Sequence, residues 1–323
     1  MTTPPSRPEP AGIVSDAVDG NWVDRFAPLR LRPYLRLSRA DRPIGTWLLL
    51  LPCWWGLFLS MATDSKASVF DAWIFVGCAA GAFLMRGAGC TWNDITDREF
   101  DAKVARTASR PIPSGQVSPR SAMIWMIVQA ALAFLILLSL PLNAIYLGIL
   151  ALVPVAVYPF AKRFTWWPQI FLGIAFNWGA LLAWTAHSGS LGLPAVILYL
   201  GGMIWTLFYD TIYAHQDIED DALIGVKSTA RLFGQTSPRW LWGFLTGTTM
   251  LLAVAVFAAL PPGPARWLAL LGPVALALQM MWQMRRLDIN NPTLCMRLFR
   301  SNSTGGLWVT LFFAGAALLS QVT

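Results

Sequence analysis

Nine apolar runs follow one another along the chain, at about 43–61, 70–91, 121–139, 143–160, 168–186, 193–213, 240–259, 266–284 and 304–321. Each is close to the roughly 17–25 residues that a membrane-spanning helix needs. Short polar gaps separate them, and two gaps are marked by helix breakers: Pro141-Leu-Asn143, and Pro261-Pro-Gly-Pro264. The pattern predicts an all-α, polytopic membrane protein. Ahead of the runs, residues 22–42 alternate cations with apolar side chains, as a short helix on a membrane surface or an orienting cationic flank does. Residues 1–20 are rich in Pro, Ser and small residues and read as a disordered tail. We expect 1–33 to form the N-terminal segment and 34–323 one transmembrane domain.

Composition agrees with the pattern. Hydrophobic residues make up 56% of the 323 and charged residues 13%, against about a quarter charged in soluble domains. All but Lys66 and Arg266 of the 24 Lys and Arg fall in the N-terminal segment or at the second, fourth, sixth and eighth gaps. That alternation predicts nine spans with a cytoplasmic N-terminus. The net charge of +7 is therefore an orienting charge and not a nucleic-acid footprint. Cys53, Cys78, Cys90 and Cys295 form no CxxC pair and read as small buried hydrophobes. His187 and His215 are too few and too separated to suggest a His-based metal site.

The acids are not spread in this way. Five of the 17 lie in the stretch from Asp210 to Asp221, which ends in Asp217-Ile-Glu-Asp-Asp221 at the end of the sixth run. Carboxylates this dense beside a membrane helix are costly and mark function. A second acidic stretch, Asn93-Asp-Ile-Thr-Asp-Arg-Glu-Phe-Asp101, follows the second run. If that helix continues, Asn93, Asp97 and Asp101 share one face, Asp94 borders it and Glu99 points away. On the same reasoning Asp210, Asp217 and Asp221 share a face, with Asp220 to the side and Glu219 opposite. Clustered carboxylates repel unless a cation joins them. Hard oxygen donors with few others suit Mg2+, which is usually held by one or two carboxylates plus substrate phosphates. Each acidic stretch is followed by cations, Arg106 to Arg110 and Lys227 to Arg231, and Arg suits phosphate recognition. The expectation is a clamp in which both stretches hold Mg2+ around one diphosphate. Arg98 has two readings, a partner for nearby acids or a phosphate contact.

These residues carry a resemblance. Asp41-Arg-Pro-Ile-Gly-Thr-Trp47, Arg86-Gly-Ala-Gly-Cys-Thr-Trp-Asn-Asp94, Arg106-Thr-Ala-Ser-Arg-Pro-Ile-Pro-Ser-Gly115, Tyr158-Pro-Phe-Ala-Lys-Arg163, Tyr209-Asp-Thr-Ile-Tyr-Ala-His-Gln-Asp217 and Gly225-Val-Lys-Ser-Thr-Ala230 resemble the UbiA family of intramembrane prenyltransferases over about residues 34–320. The last two strings point to its ubiquinone-synthesis branch. The resemblance implies nine helices around a central cavity, capped by cytoplasmic loops. It implies Mg2+ as cofactor, and a polyprenyl diphosphate and 4-hydroxybenzoate as substrates. Asn93, Asp97 and Asp101 match the first Mg2+-diphosphate motif; Asp217 and Asp221 match the second. Lys162, Arg163 and Lys227 fall at positions expected near the diphosphate or the aromatic acid. Arg42 is the first choice for the carboxylate of that acid and Arg163 the second. Asp94, Asp210 or released diphosphate could be the base. Other acceptors within the family (homogentisate, dihydroxynaphthoate, haem) are the alternative, and a divalent-cation transporter is the alternative from another class. Glu9, Asp16 and Asp19 give the first twenty residues no transit-peptide character, so the expected location is a bacterial inner membrane with the active site on the cytoplasmic side.

Overall fold

The computed structural model describes residues 17–18, 20–103, 107–223 and 225–322, with Asp220 described by its backbone alone. The tail expected over 1–20 lies almost wholly outside these residues, and so does Arg106. Among the described residues the secondary structure is helical, with no strand. Nine helical segments among the described residues are long and apolar enough to cross a membrane: Ile44–Asp64, Val69–Asp101, Pro119–Leu137, Leu142–Phe164, Pro168–Ser188, Leu193–Asp217, Thr229–Ala259, Pro264–Arg286 and Pro292–Ser320. We call them the first to ninth spans. Their number is the one the apolar runs predict.

Several spans outrun their apolar cores. The second continues as helix to Asp101, because helical hydrogen bonds do not require apolar side chains. The fourth is two helices, Leu142–Leu150 and Leu152–Phe164. Pro154 has no N–H to give the Leu150 carbonyl, which explains the break at Ala151. The sixth tightens into a 3-10 turn at His215–Asp217 before a short helix, Ile218–Leu223.

The chain forms two compact units. One comprises 44–83 and 133–323. In it the first span packs on the fifth and ninth, the sixth on the fifth and seventh, and the eighth on the ninth. Trp55 and Trp205 are fully buried at the centre. The Trp55 indole donates to the Gly306 carbonyl at 3.0 Å and the Trp205 indole to Asn302 Oδ1 at 3.2 Å. A membrane interior offers no water, so buried polar atoms find protein partners. At the end of the fifth span the His187 ring lies between two carboxylates, Nδ1 2.5 Å from Asp71 and Nε2 3.1 Å from Asp64. This ties three spans together at the end of the second span opposite Asp101.

The other unit comprises 1–43 and 84–132. The segment 22–42 forms two short helices, Trp22–Phe26 and Arg32–Leu37. Asn21 caps the first by accepting from the Asp24 N–H, and Pro33 opens the second. Leu37 packs with Ile112, Val117 and Ala122. Ser38 donates to Gln129 at 2.8 Å and accepts from the Trp125 indole at 2.8 Å.

Candidate active site

The first acidic set is an outcome of the second span's length. Because the helix runs unbroken through Asp101, Asn93, Asp97 and Asp101 do lie at one-turn intervals on one face. Asp94, Asp97 and Asp101 are buried, with 0%, 1% and 8% exposure. Glu99 turns outward as expected, with its side chain 81% exposed. Arg98 goes with it: its guanidinium is half exposed and 3.6 Å from Glu99, so it partners a nearby acid.

Arg110 reaches this set from the loop beyond. One of its terminal nitrogens is 2.9 Å from Asp101 Oδ2 and 3.5 Å from Asp94 Oδ1. Arg39, which in the sequence is one flanking cation among several, does more. It donates two hydrogen bonds to Asp94, at 2.9 and 2.6 Å. Their 55-residue separation leaves no signal in the sequence. Asp94 thus sits among guanidinium groups, linked to Asp101 by the Arg110 nitrogen they share. Arg42, at the entry to the first span, pairs with its neighbour Asp41 at 3.1 Å.

The second set is built differently. Its phasing by seven and four residues assumes an uninterrupted α-helix, and the 3-10 turn at His215–Asp217 intervenes. Three residues at three per turn instead of 3.6 rotate the next stretch of helix by roughly 60°. Seven α-helical residues alone would leave Asp217 about 20° from Asp210, so with the turn Asp217 lies about 40° and Asp221 about 80° from it, a spread no wider than that of Asn93, Asp97 and Asp101. All three are partly exposed. The loop after Asp221 is held by its backbone. Val226 donates to the Asp221 carbonyl at 2.9 Å, and the Lys227 N–H to the Lys162 carbonyl at 3.1 Å. The Lys227 ammonium donates to the Phe164 carbonyl at 3.4 Å and faces the Trp166 ring at 5.9 Å. Arg231 donates to the Asp221 carbonyl at 3.2 Å. Arg163 lies over the Phe160 ring at 5.1 Å.

Among the described residues no three His, Cys, Asp or Glu side chains converge as a metal cage. The donor set is nonetheless suited to Mg2+. Asn93, Asp97 and Asp101 offer one amide and two carboxylates at one helix end, and Mg2+ commonly takes its other ligands from phosphates and water.

The fold and these helix ends define a polytopic, all-helical membrane protein with buried, arginine-paired carboxylates at the end of one span. The sequence profile of the UbiA prenyltransferase family matches residues 49–319, and the chain belongs to that family. It is a prenyltransferase. The chain is 46% identical over 311 residues to the human protein named 4-hydroxybenzoate polyprenyltransferase, mitochondrial, covering 95% of this chain and 81% of the relative. The Arabidopsis thaliana protein of the same name is 44% identical over 302 residues, covering 93% and 72%. Among solved structures, an apo UbiA homologue from Aeropyrum pernix K1 matches with a TM-score of 0.66 and 23% identity, covering 86% of this chain and 98% of that one. A UbiA homologue from Archaeoglobus fulgidus bound to GPP and Mg2+ matches with a TM-score of 0.66 and 19% identity, covering 90% and 100%. The likeness to these two is one of fold.

Proposed function

We propose that the chain transfers a polyprenyl group from its diphosphate to the ring carbon ortho to the hydroxyl of 4-hydroxybenzoate, releasing diphosphate, as a step of ubiquinone synthesis. The observation that carries the reading is the acidic end of the second span, where Asp97 and Asp101 are buried and Arg110 lies 2.9 Å from Asp101. The acceptor is taken from the shared name of relatives that cover more than nine-tenths of the chain.

Asn93, Asp97, Asp101, Asp217 and Asp221 would hold Mg2+, which when bound offsets charge on the diphosphate leaving group. The chain's own residues do the rest. Arg110 and Lys227 add positive charge for the diphosphate, with Lys162 and Arg163 near it or near the acid. As the allylic C–O bond loosens, negative charge grows on the bridging oxygen, and fixed cations stabilise it. The electron-rich ring attacks the allylic carbon and then loses its proton. The apolar spans keep water from the carbocation-like centre. Arg42 would orient the acid's carboxylate. Asp94, one of the groups that could take the proton, has both carboxylate oxygens engaged by Arg39; Asp210 and released diphosphate are the others. The reading includes a bacterial inner membrane with the acidic ends at its cytoplasmic face; the alternation of Lys and Arg between gaps supports the sidedness.

The test is incubation of membranes holding the protein with 4-hydroxybenzoate and prenyl diphosphates of several lengths, with homogentisate and dihydroxynaphthoate in parallel and mass detection of product. EDTA should stop transfer and Mg2+ restore it, and Asp97→Ala should abolish it without loss from the membrane. Chelator-resistant transfer, or near-normal turnover by Asp97→Ala, would sink the metal assignment. Preference for another acceptor would replace 4-hydroxybenzoate.

A further inference from the structure

Arg39 stands at a backbone position that favours glycine. It follows the Ser38 cap of the helix Arg32–Leu37 and has φ 57°, in the left-handed region. The chain closes there as a helix end does. Ala40 donates to the Leu35 carbonyl at 3.0 Å and the Arg39 N–H to the Arg36 carbonyl at 3.0 Å. Glycine is the usual residue just after such an end, because it has no Cβ to strain. A long charged residue is kept here against that preference, so its side chain has a task.

The task is visible. The Arg39 guanidinium makes a two-pronged pair with Asp94, both side chains buried, at 8% and 0% exposure. The same Asp94 carboxylate is 3.5 Å from the Arg110 nitrogen that holds Asp101 at 2.9 Å. Unpaired, Asp94 would add a third negative charge within two turns of Asp97 and Asp101 and compete for any cation they bind. A fork-on-fork bond removes that charge and also fixes the plane of the carboxylate.

We propose that Arg39 is a positioning residue for the first acidic set. It neutralises Asp94, which is then neither a metal ligand nor the base. Through Arg110, which Asp94 and Asp101 share, it fixes the Asp101 carboxylate for a diphosphate and its divalent ion. The inference rests on the proposed function, in which Asp97 and Asp101 take that ligand.

The test uses the full chain purified in detergent. Mn2+ binding in the presence of inorganic pyrophosphate is followed by electron paramagnetic resonance, and KM is measured for both substrates. Arg39→Gly suits the backbone while deleting the guanidinium. It should weaken Mn2+-pyrophosphate binding roughly 10–100-fold, the range for residues that orient metal ligands. It should raise KM for the prenyl donor and leave KM for the acceptor unchanged. The double variant R39G/D94N should recover much of the loss, because no unpaired charge remains. Parental binding by R39G overturns the proposal. So does a double variant no better than R39G, or D94N alone as damaging as D97N, which would make Asp94 a ligand. If R39G does not fold, the double variant decides, and binding as weak as in D97N overturns the proposal. D97N separates the two levels. Normal binding by D97N removes the metal assignment itself, whereas loss in D97N with parental binding in R39G removes only the role of Arg39.

Discussion

Adding one methyl group at Gly56 should loosen the first span from the fifth. A Cβ there would lie 2.9 Å from both the Cα and the carbonyl carbon of Ala180, and closer still to its oxygen. An ordinary contact between carbons is about 3.5–4.0 Å, so the spans must part locally by roughly 0.6–1 Å. Both partners are helix backbone, so no rotamer change relieves the clash. A gap of about that size forfeits a quarter to a half of the dispersion energy of the atoms facing it. Ala180 is 1% exposed, and Cys53 and Ser60 of the first span also reach the fifth, so the gap opens in buried packing. Overpacked cores typically lose about 1–3 kcal/mol, and a backbone clash belongs in the upper half of that range. Gly179 provides the control on the same pair of spans. Its added Cβ meets the Cys53 thiol, with Cys53 Cβ at 3.4 Å and Cα at 3.6 Å, and a thiol can rotate away. Gly179→Ala should therefore cost under about 1 kcal/mol. Thermal unfolding of both variants in one detergent, followed by tryptophan fluorescence, gives the comparison. Parental stability in Gly56→Ala, or a larger loss in Gly179→Ala, would refute the reasoning.

Two further substitutions probe the ends of the spans. His187→Ala leaves Asp71, which is 6% exposed, without its ring partner. Leaving a buried acceptor short of a hydrogen-bond partner costs about 1–3 kcal/mol, and the two Ser68 donors that Asp71 keeps put the expectation near the lower figure. Denaturation should show the loss, while transfer at low temperature stays near parental; equal stability would mean that the cluster does not hold the three spans. Arg42→Ala should raise KM for 4-hydroxybenzoate more than for the prenyl diphosphate in steady-state assays, and the reverse order would remove Arg42 as the carboxylate's partner.

Local physical effects leave a mark in the sequence and distant ones do not. The nine spans are legible because hydrocarbon demands long apolar runs and the gaps carry charge or proline. Their ends are less so. The ninth apolar run starts near 304 and its helix begins at Pro292, since helix can extend on polar residues wherever its backbone bonds are met. The first acidic set is phased as its spacing predicts because the helix that bears it does not break. In the second, a 3-10 turn of three residues shifts the rotation, and His215-Gln-Asp217 carries no sign of that turn. The pairing of Arg39 with Asp94 is out of reach for another reason. It joins segments 55 positions apart through tertiary packing, and an Arg in a cationic stretch reads as an orienting charge.

The two acidic stretches look alike as sequence, and the bonds seen around them differ in kind. In the first, side chains carry the order: Arg39 and Arg110 bind carboxylates, so charge and geometry there are one property. In the second, main-chain groups take part. The Asp221 carbonyl accepts from Val226 and from Arg231, and the loop is joined to the fourth span through the Lys162 carbonyl. Neutralising an aspartate of the first set therefore alters both the charge and the hold on the helix end. Neutralising Asp217 or Asp221 alters charge while these main-chain tethers stay. The role of Asp94, in the first stretch, therefore needs its partner Arg39 varied with it.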